Sequence, residues 1–132
     1  MNVNINQTVG EERELPMAAF IREDTWGGNV LHVLGEVDLA NADEFESALL
    51  ELAEKPGEVI VDLTACTYMD SSGLRVLATA HKAVDNRLHV VIPKTGSVHR
   101  IFEITGLCDQ FNACESVDAA LRTRGEQTLP TR

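Results

Sequence analysis

The sequence predicts an α/β domain with a mixed, mostly parallel sheet of four or five strands covered by about four helices. Three observations carry that expectation. After a starting hairpin, strand-like and helix-like segments alternate along the chain. Two apolar segments, Ala18–Ile21 and Asn29–Leu34, flank Trp26-Gly27-Gly28-Asn29, where paired glycines can take positive φ and turn the chain. The run Glu58–Leu63 is short, apolar and β-branched, as in a central parallel strand buried on both faces.

A first helix is expected from about Ala42 to Glu54. Asn41 and Glu44 form a capping-box pattern, and Phe45, Ala48, Leu49, Leu52 and Ala53 recur at helical spacing. Pro56-Gly57 ends it. A second helix is expected from Ser72 to about Asp85, with Leu74, Leu77, Ala78 and Val84 facing inward. Leu88–Ile92 reads as a strand closed by Pro93. A third helix fits Ser97–Thr105, capped by Ser97, packed through Val98, Ile101 and Phe102, and terminated by Gly106. A short strand near Gln110–Ala113 and a helix from Ser116 to Arg124 complete the pattern.

The 132 residues suit one domain, and 44% hydrophobic content is enough for a real core. Residues 1–15, with the acidic cluster Glu11-Glu12-Arg13-Glu14, read as a flexible arm; 16–124 read as the domain and 125–132 as a flexible tail. The formal net charge of −10, with scattered Lys and Arg, argues against nucleic acid and against anionic membrane. An acidic surface favours solubility and suits a partner with a basic patch. Cys66, Cys108 and Cys114 are odd in number and form no Cys-x-x-Cys pair, so buried thiols in a reducing cytosol fit better than a metal site or disulfides. No basic start followed by an apolar core opens the chain, and no apolar run approaches the ~20 residues that cross a bilayer. The expected location is the cytoplasm.

Function in open α/β sheets gathers at the carboxyl ends of strands. Two polar segments are expected there: Gly35-Glu36-Val37-Asp38, and Tyr68-Met69 leading into Asp70-Ser71-Ser72-Gly73-Leu74. In the second, Ser71 or Ser72 sits at or near a helix N-cap. A structural role accounts for this: a serine accepts first-turn N–H groups and Asp70 complements the helix dipole. A phosphate site accounts for it too, because a helix N-terminus tolerates an anion. Gly73 either lets another chain approach or packs internally. Enzyme readings are weak. Gly-x-Ser-x-Gly and Gly-x4-Gly-Lys-Ser/Thr are both absent. His32, His81, His89 and His99 show no triad logic with Ser71.

Three segments resemble the STAS domain family of sulfate-transporter cytoplasmic domains and anti-sigma-factor antagonists. They are Gly35–Leu39; Val61–Thr64 leading through Tyr68-Met69 to Asp70–Leu74; and Ile104–Leu107 followed by Phe111. The resemblance extends from about Met17 to Arg124. It implies a non-enzymatic, cofactor-free, free-standing anti-sigma-factor antagonist. Its unphosphorylated form would bind an anti-sigma-factor serine kinase, which supplies the ATP, and so release a sigma factor. Phosphorylation would fall on Ser71, right after the aspartate, and switch binding off. A metal-dependent serine phosphatase would reset it. Asp38 and Asp70 match the acidic residues beside the phosphosite, so Asp38, Asp70, Ser71, Ser72, Gly73 and Leu74 are the expected partner-binding set. The family also includes scaffold subunits of stress-sensing assemblies and components of lipid-transport complexes, which stand as the alternatives.

Overall fold

The computed structural model describes residues 17–85 and 87–128, with side chains up to Arg122. The expected N-terminal arm and the last four residues of the expected tail lie outside the described residues.

Strands β1 (Ala18–Thr25) and β2 (Gly28–Val37) form an antiparallel hairpin in which Thr25 opposes Gly28. The turn is therefore only Trp26-Gly27. Gly27 takes φ 96°, whereas Gly28 is already in the strand and lies against the backbone of Glu58. Both strands outrun their apolar segments. Arg22, Glu23 and Asp24 extend β1 because an edge strand exposes polar side chains at little cost.

The remaining elements are α1 (Ala42–Ala53), β3 (Glu58–Asp62), β4 (Cys66–Met69), α2 (Ser71–Val84), β5 (Leu88–Val91), α3 (Gly96–Thr105), α4 (Leu107–Gln110), β6 (Ala113–Cys114) and α5 (Val117–Thr128). The sheet order is β1-β2-β3-β5-β6, with every neighbour pair after the hairpin parallel. The β4 strand also pairs with β2 in parallel, beyond the end of β3. The fold class is as the sequence predicts, with six strands and five helices among the described residues.

The sheet has a heavily covered face and a lightly covered one. Leu31, Val33, Val59, Val61, Leu88 and Val90 join Phe45, Leu49, Leu52, Leu77 and Phe102 in the main core. Val30, Ile60 and Val91, on the alternate residues, pack against Ala120, with Val117 and Leu121 beside them. Two-sided burial explains why β3 reads as a β-branched apolar run through Val59, Ile60 and Val61. Phe20 of the edge strand stacks on Phe45, ring centroids 5.5 Å apart, and ties α1 to the hairpin.

Several local expectations are corrected. Asn41 does not cap α1 through its side chain, and no capping box forms. Its amide is committed to the loop before the helix. Ser97 lies inside α3, whose N-cap is Thr95, and donates instead to the Thr67 carbonyl at 3.1 Å. On α2, Ala78 is exposed; Val76 and Ala80 take the inward positions, while Leu74 is half-buried. Gln110 ends the short α4 rather than opening a strand, and β6 is Ala113–Cys114. The last helix runs to Thr128 rather than Arg124. Cys66 is buried as expected, but Cys108 and Cys114 are half-buried. Burial pushes the Cys66 and Cys114 thiols up from their ordinary pKa.

Candidate functional site

The site is built where β2 and β4 end. Val37 and Met69 are register partners at those ends, and the Asp70 N–H donates to the Val37 carbonyl at 3.1 Å. Asp38 and Asp70 are the next residues, so two carboxylates leave adjacent parallel strands side by side. Neighbouring strands lie about 4.8 Å apart, which sets the scale of that approach.

Each aspartate closes its own turn. One oxygen of Asp38 accepts the Ala40 N–H at 2.9 Å, and one oxygen of Asp70 accepts the Ser72 N–H at 2.8 Å. Asp70 is thus the N-cap of α2, and Ser71 is its first helical residue. Neither serine is the cap, although Ser71 lies directly after it. The Asn41 side chain braces the other loop: its Oδ1 accepts the Asp38 N–H and its Nδ2 donates to the Glu36 carbonyl, both at 3.0 Å.

Two glycines hold these strand ends together. Gly35, φ 90°, sits at the bulge where β2 shifts register against β4; a Cβ there would fall 2.2 Å from the Met17 carbonyl oxygen. Gly73 is buried, and a Cβ on it would fall 2.5 Å from Met69 Cγ and 3.1 Å from Val37 Cγ1. Gly73 therefore packs α2 onto the two strands that carry the aspartates. It serves internal approach.

The six expected residues divide by position. Ser71 is exposed; Asp38, Asp70 and Leu74 are half-buried; Ser72 and Gly73 turn inward. Close to the two aspartates in the chain, the structure exposes two apolar residues that were not among the expected partner-binding set, Leu39 (75% exposed) and Tyr68 (44% exposed). Both belong to the segments flanking the aspartates. An exposed leucine and an exposed tyrosine are a signal only once the fold shows that neither is needed in the core. Leu39 also borders a shallow groove between α1 and α2, lined by Asp43, Glu46, Ser72 and Arg75.

The larger cavities lie elsewhere. One of about 490 Å³, at the ends of β4 and β5, is bordered by Thr64, Thr67, Lys94, Ser97 and Glu115. An adjoining one of about 410 Å³ is bordered by His99, Cys108 and Cys114. Among the described residues, no group of three His, Cys, Asp or Glu side chains is placed to hold a metal. The histidines have other partners. His89 Nε2 meets Glu58 at 2.7 Å in the interior, and His99 meets Pro93 O at 2.9 Å. His81 is edge-on to Phe111. His32 lies between Glu23 (2.6 Å) and Asp62 (2.8 Å). Partial burial pulls its pKa down, but the two carboxylates outweigh this and the net shift is upward from 6.5.

No described helix is long and apolar enough to cross a membrane. The STAS domain model matches residues 21–120. An anti-sigma-B factor antagonist of Listeria monocytogenes is 39% identical over 82 residues, which span 60% of this chain and 72% of that protein. The anti-sigma-F factor antagonist RsfB of Mycobacterium tuberculosis is 31% identical over 97 residues, spanning 72% and 80%. Among solved structures, an anti-sigma factor antagonist from Mycobacterium paratuberculosis superposes with TM-score 0.73 and 28% identity, covering 80% of this chain and 92% of that one. Unphosphorylated SpoIIAA shares the fold, with TM-score 0.64 and 19% identity over 81% of this chain and 97% of that one.

Proposed function

The chain belongs to the STAS domain family, and from that premise we propose that it is an anti-sigma-factor antagonist switched by phosphorylation of Ser71. The unphosphorylated form binds an anti-sigma-factor serine kinase and so frees a sigma factor. Phosphorylation by that kinase ends the binding, and a serine phosphatase restores it. The chain itself is a binding protein: its serine is the substrate, and the partner brings the ATP.

The observation that carries this reading is the exposed Ser71 at the first position of α2, directly after one of two neighbouring strand ends that each deliver an aspartate. The relatives named as antagonists support the partner class. A modified Ser71 fits the fold. Phosphate adds about −1.5 to −2 charge at pH 7. The helix N-terminus offsets part of that, by about 0.3–1 kcal/mol when exposed, while Asp38 and Asp70 oppose it. With these effects nearly balanced, the domain has no driving force to rearrange. A docked partner must instead strip water from the phosphate, and each 1.4 kcal/mol so lost weakens binding tenfold.

The test uses the anti-sigma-factor kinase encoded nearest to this protein's gene. Incubation with ATP and fragment mass spectrometry should place one phosphate on Ser71. Ser71→Ala should bind and stay bound in ATP. Ser71→Asp should bind at least tenfold more weakly while keeping its circular dichroism spectrum. Phosphate arriving on Ser71→Ala protein, or equal affinity of the modified and unmodified forms, would overturn the proposal.

A further inference from the structure

We infer that Arg75 receives the phosphate carried by Ser71 and holds it against the first turns of α2. The inference rests on Ser71 as the modified residue and adds how the modified state is kept.

Ser71 and Arg75 are four residues apart on α2, and both are exposed. That spacing puts them one above the other on the same stripe of the helix. Side chains on a helix lean toward its N-terminus, so Arg75 reaches back over the turn that begins with Ser71. Arg75 also borders the groove between α1 and α2, together with Ser72 and Leu39.

Arg75 is also the one basic residue between Asp70 and Thr79. Arg22 and Lys55 pair with Glu51 and Asp24, but none of the ion pairs among the described residues includes Arg75. This holds although Asp43 and Glu46 border the same groove, in a chain of net charge −10. A guanidinium one helical turn from the serine and outside the described ion pairs is free to meet an anion that arrives later. Its planar fork of donors matches phosphate oxygens in a bidentate contact that a lysine cannot reproduce.

The groups facing the phosphate would be Arg75 and the α2 N-terminus on the attractive side, and Asp38, Asp70, Asp43 and Glu46 on the repulsive side. Arg75 is thus the side-chain cation that lets so acidic a surface accept two further charges. It also covers one side of the phosphate, and so slows its removal.

The experiment uses the full chain with phosphoserine installed at position 71 during translation, so that no kinase is needed. The second ionisation of that phosphate is followed by phosphorus NMR. Its pKa should rise by about 0.3 pH units in Arg75→Gln, the size expected of an exposed pair four residues apart. Arg75→Lys should restore part of the difference, and 1 M salt should erase it. Hydrolysis by a broad-specificity serine phosphatase should be about twofold faster in Arg75→Gln. The unphosphorylated Arg75→Gln protein should melt as the parent does. An unchanged pKa in Arg75→Gln overturns the inference, and so does a change that persists at 1 M salt. If the pKa moves as expected but the kinase modifies another residue, the pairing stands and the switch reading falls. If Ser71 is the kinase's target and the pKa does not move, the reverse holds.

Discussion

The polar residues at the amino ends of β3 and β5 face one another, whereas those at the carboxyl ends of β2 and β4 face outward. At the amino end, Glu58 and His89 are buried and meet at 2.7 Å. Arg87 donates to the Gly57 and Ala53 carbonyls, and Asn29 donates to the Pro56 carbonyl at 3.1 Å. That cluster ties the α1–β3 connection to β2 and β5. At the carboxyl end, Asp38 and Asp70 each commit one oxygen to closing a turn, and Ser71, next to Asp70, is left exposed. The lesson is that a polar side chain near a strand end does not by itself mark a working surface. What separates the two ends is whether the side chains are consumed by internal partners. Mutations at the first end should therefore change stability alone, and mutations at the second should change binding more than stability.

The largest expected effect is at the amino end. Glu58→Ala leaves the His89 ring buried without its carboxylate, while its Nδ1 already has no hydrogen-bond partner. It should cost about 3 kcal/mol in a urea titration, in the range for breaking a buried pair. Phosphorylation of Ser71 in the protein that remains folded should proceed at the parental rate. A loss of phosphorylation without a loss of stability would erase the contrast between the ends.

Gly73→Val joins the two ends of the comparison, because it is a packing change inside the working region. The added side chain collides with Met69 and Val37. It should cost about 2 kcal/mol by overpacking. It should also displace α2 and reduce partner binding by more than tenfold at a temperature where the variant is still folded. Preserved binding would mean that the position of α2 over β4 does not matter to the surface.

Asp70→Ala sharpens the contrast. Losing the N-cap should cost about 1 kcal/mol. Kinase affinity, measured by calorimetry, should fall by more than that loss alone implies. If stability falls and affinity does not, Asp70 is only a cap.

His32 should show the smallest effect, and one that depends on pH. Its folded pKa lies above 6.5, so its contribution is fully present below that value and is lost as pH rises through the raised one. His32→Gln should therefore lower the midpoint of urea unfolding more at pH 6 than at pH 9, by less than about 1 kcal/mol for such a partly exposed pair. An equal loss at both pH values would show that the ring acts through packing.

Much of this was legible in the residues. Phe45, Leu49 and Leu52 at helical spacing, and the β-branched run of β3, announce their elements because periodicity and propensity are local properties. The β4 strand escaped because Cys66–Met69 is four residues long, with its two end residues buried and its middle pair exposed, so no alternation exists to read. Its strand character comes from pairing with β2, some thirty residues away. Asn41 was misread for a related reason. The capping-box pattern is present, but the Asp38 N–H and Glu36 carbonyl compete for the amide and win. The phase of α2 shifted because alanines score alike on either face; the approach of Gly73 to Met69, not composition, decides which of them are covered.

The sequence by itself determined the alternation of strand and helix, the acidic composition, the hairpin and the segment Asp70–Leu74 as the place to look, though not β4 or α4. Tertiary structure alone decided that Asp38 and Asp70 emerge from neighbouring strands, that Ser71 faces solvent while Ser72 and Gly73 face the core, and that Arg75 borders the groove between α1 and α2 outside the described ion pairs. The physical reason is range. Helical spacing and strand propensity act over a few residues, whereas parallel pairing and helix-to-sheet contact join residues dozens of positions apart, and only those contacts orient a side chain toward solvent or away from it.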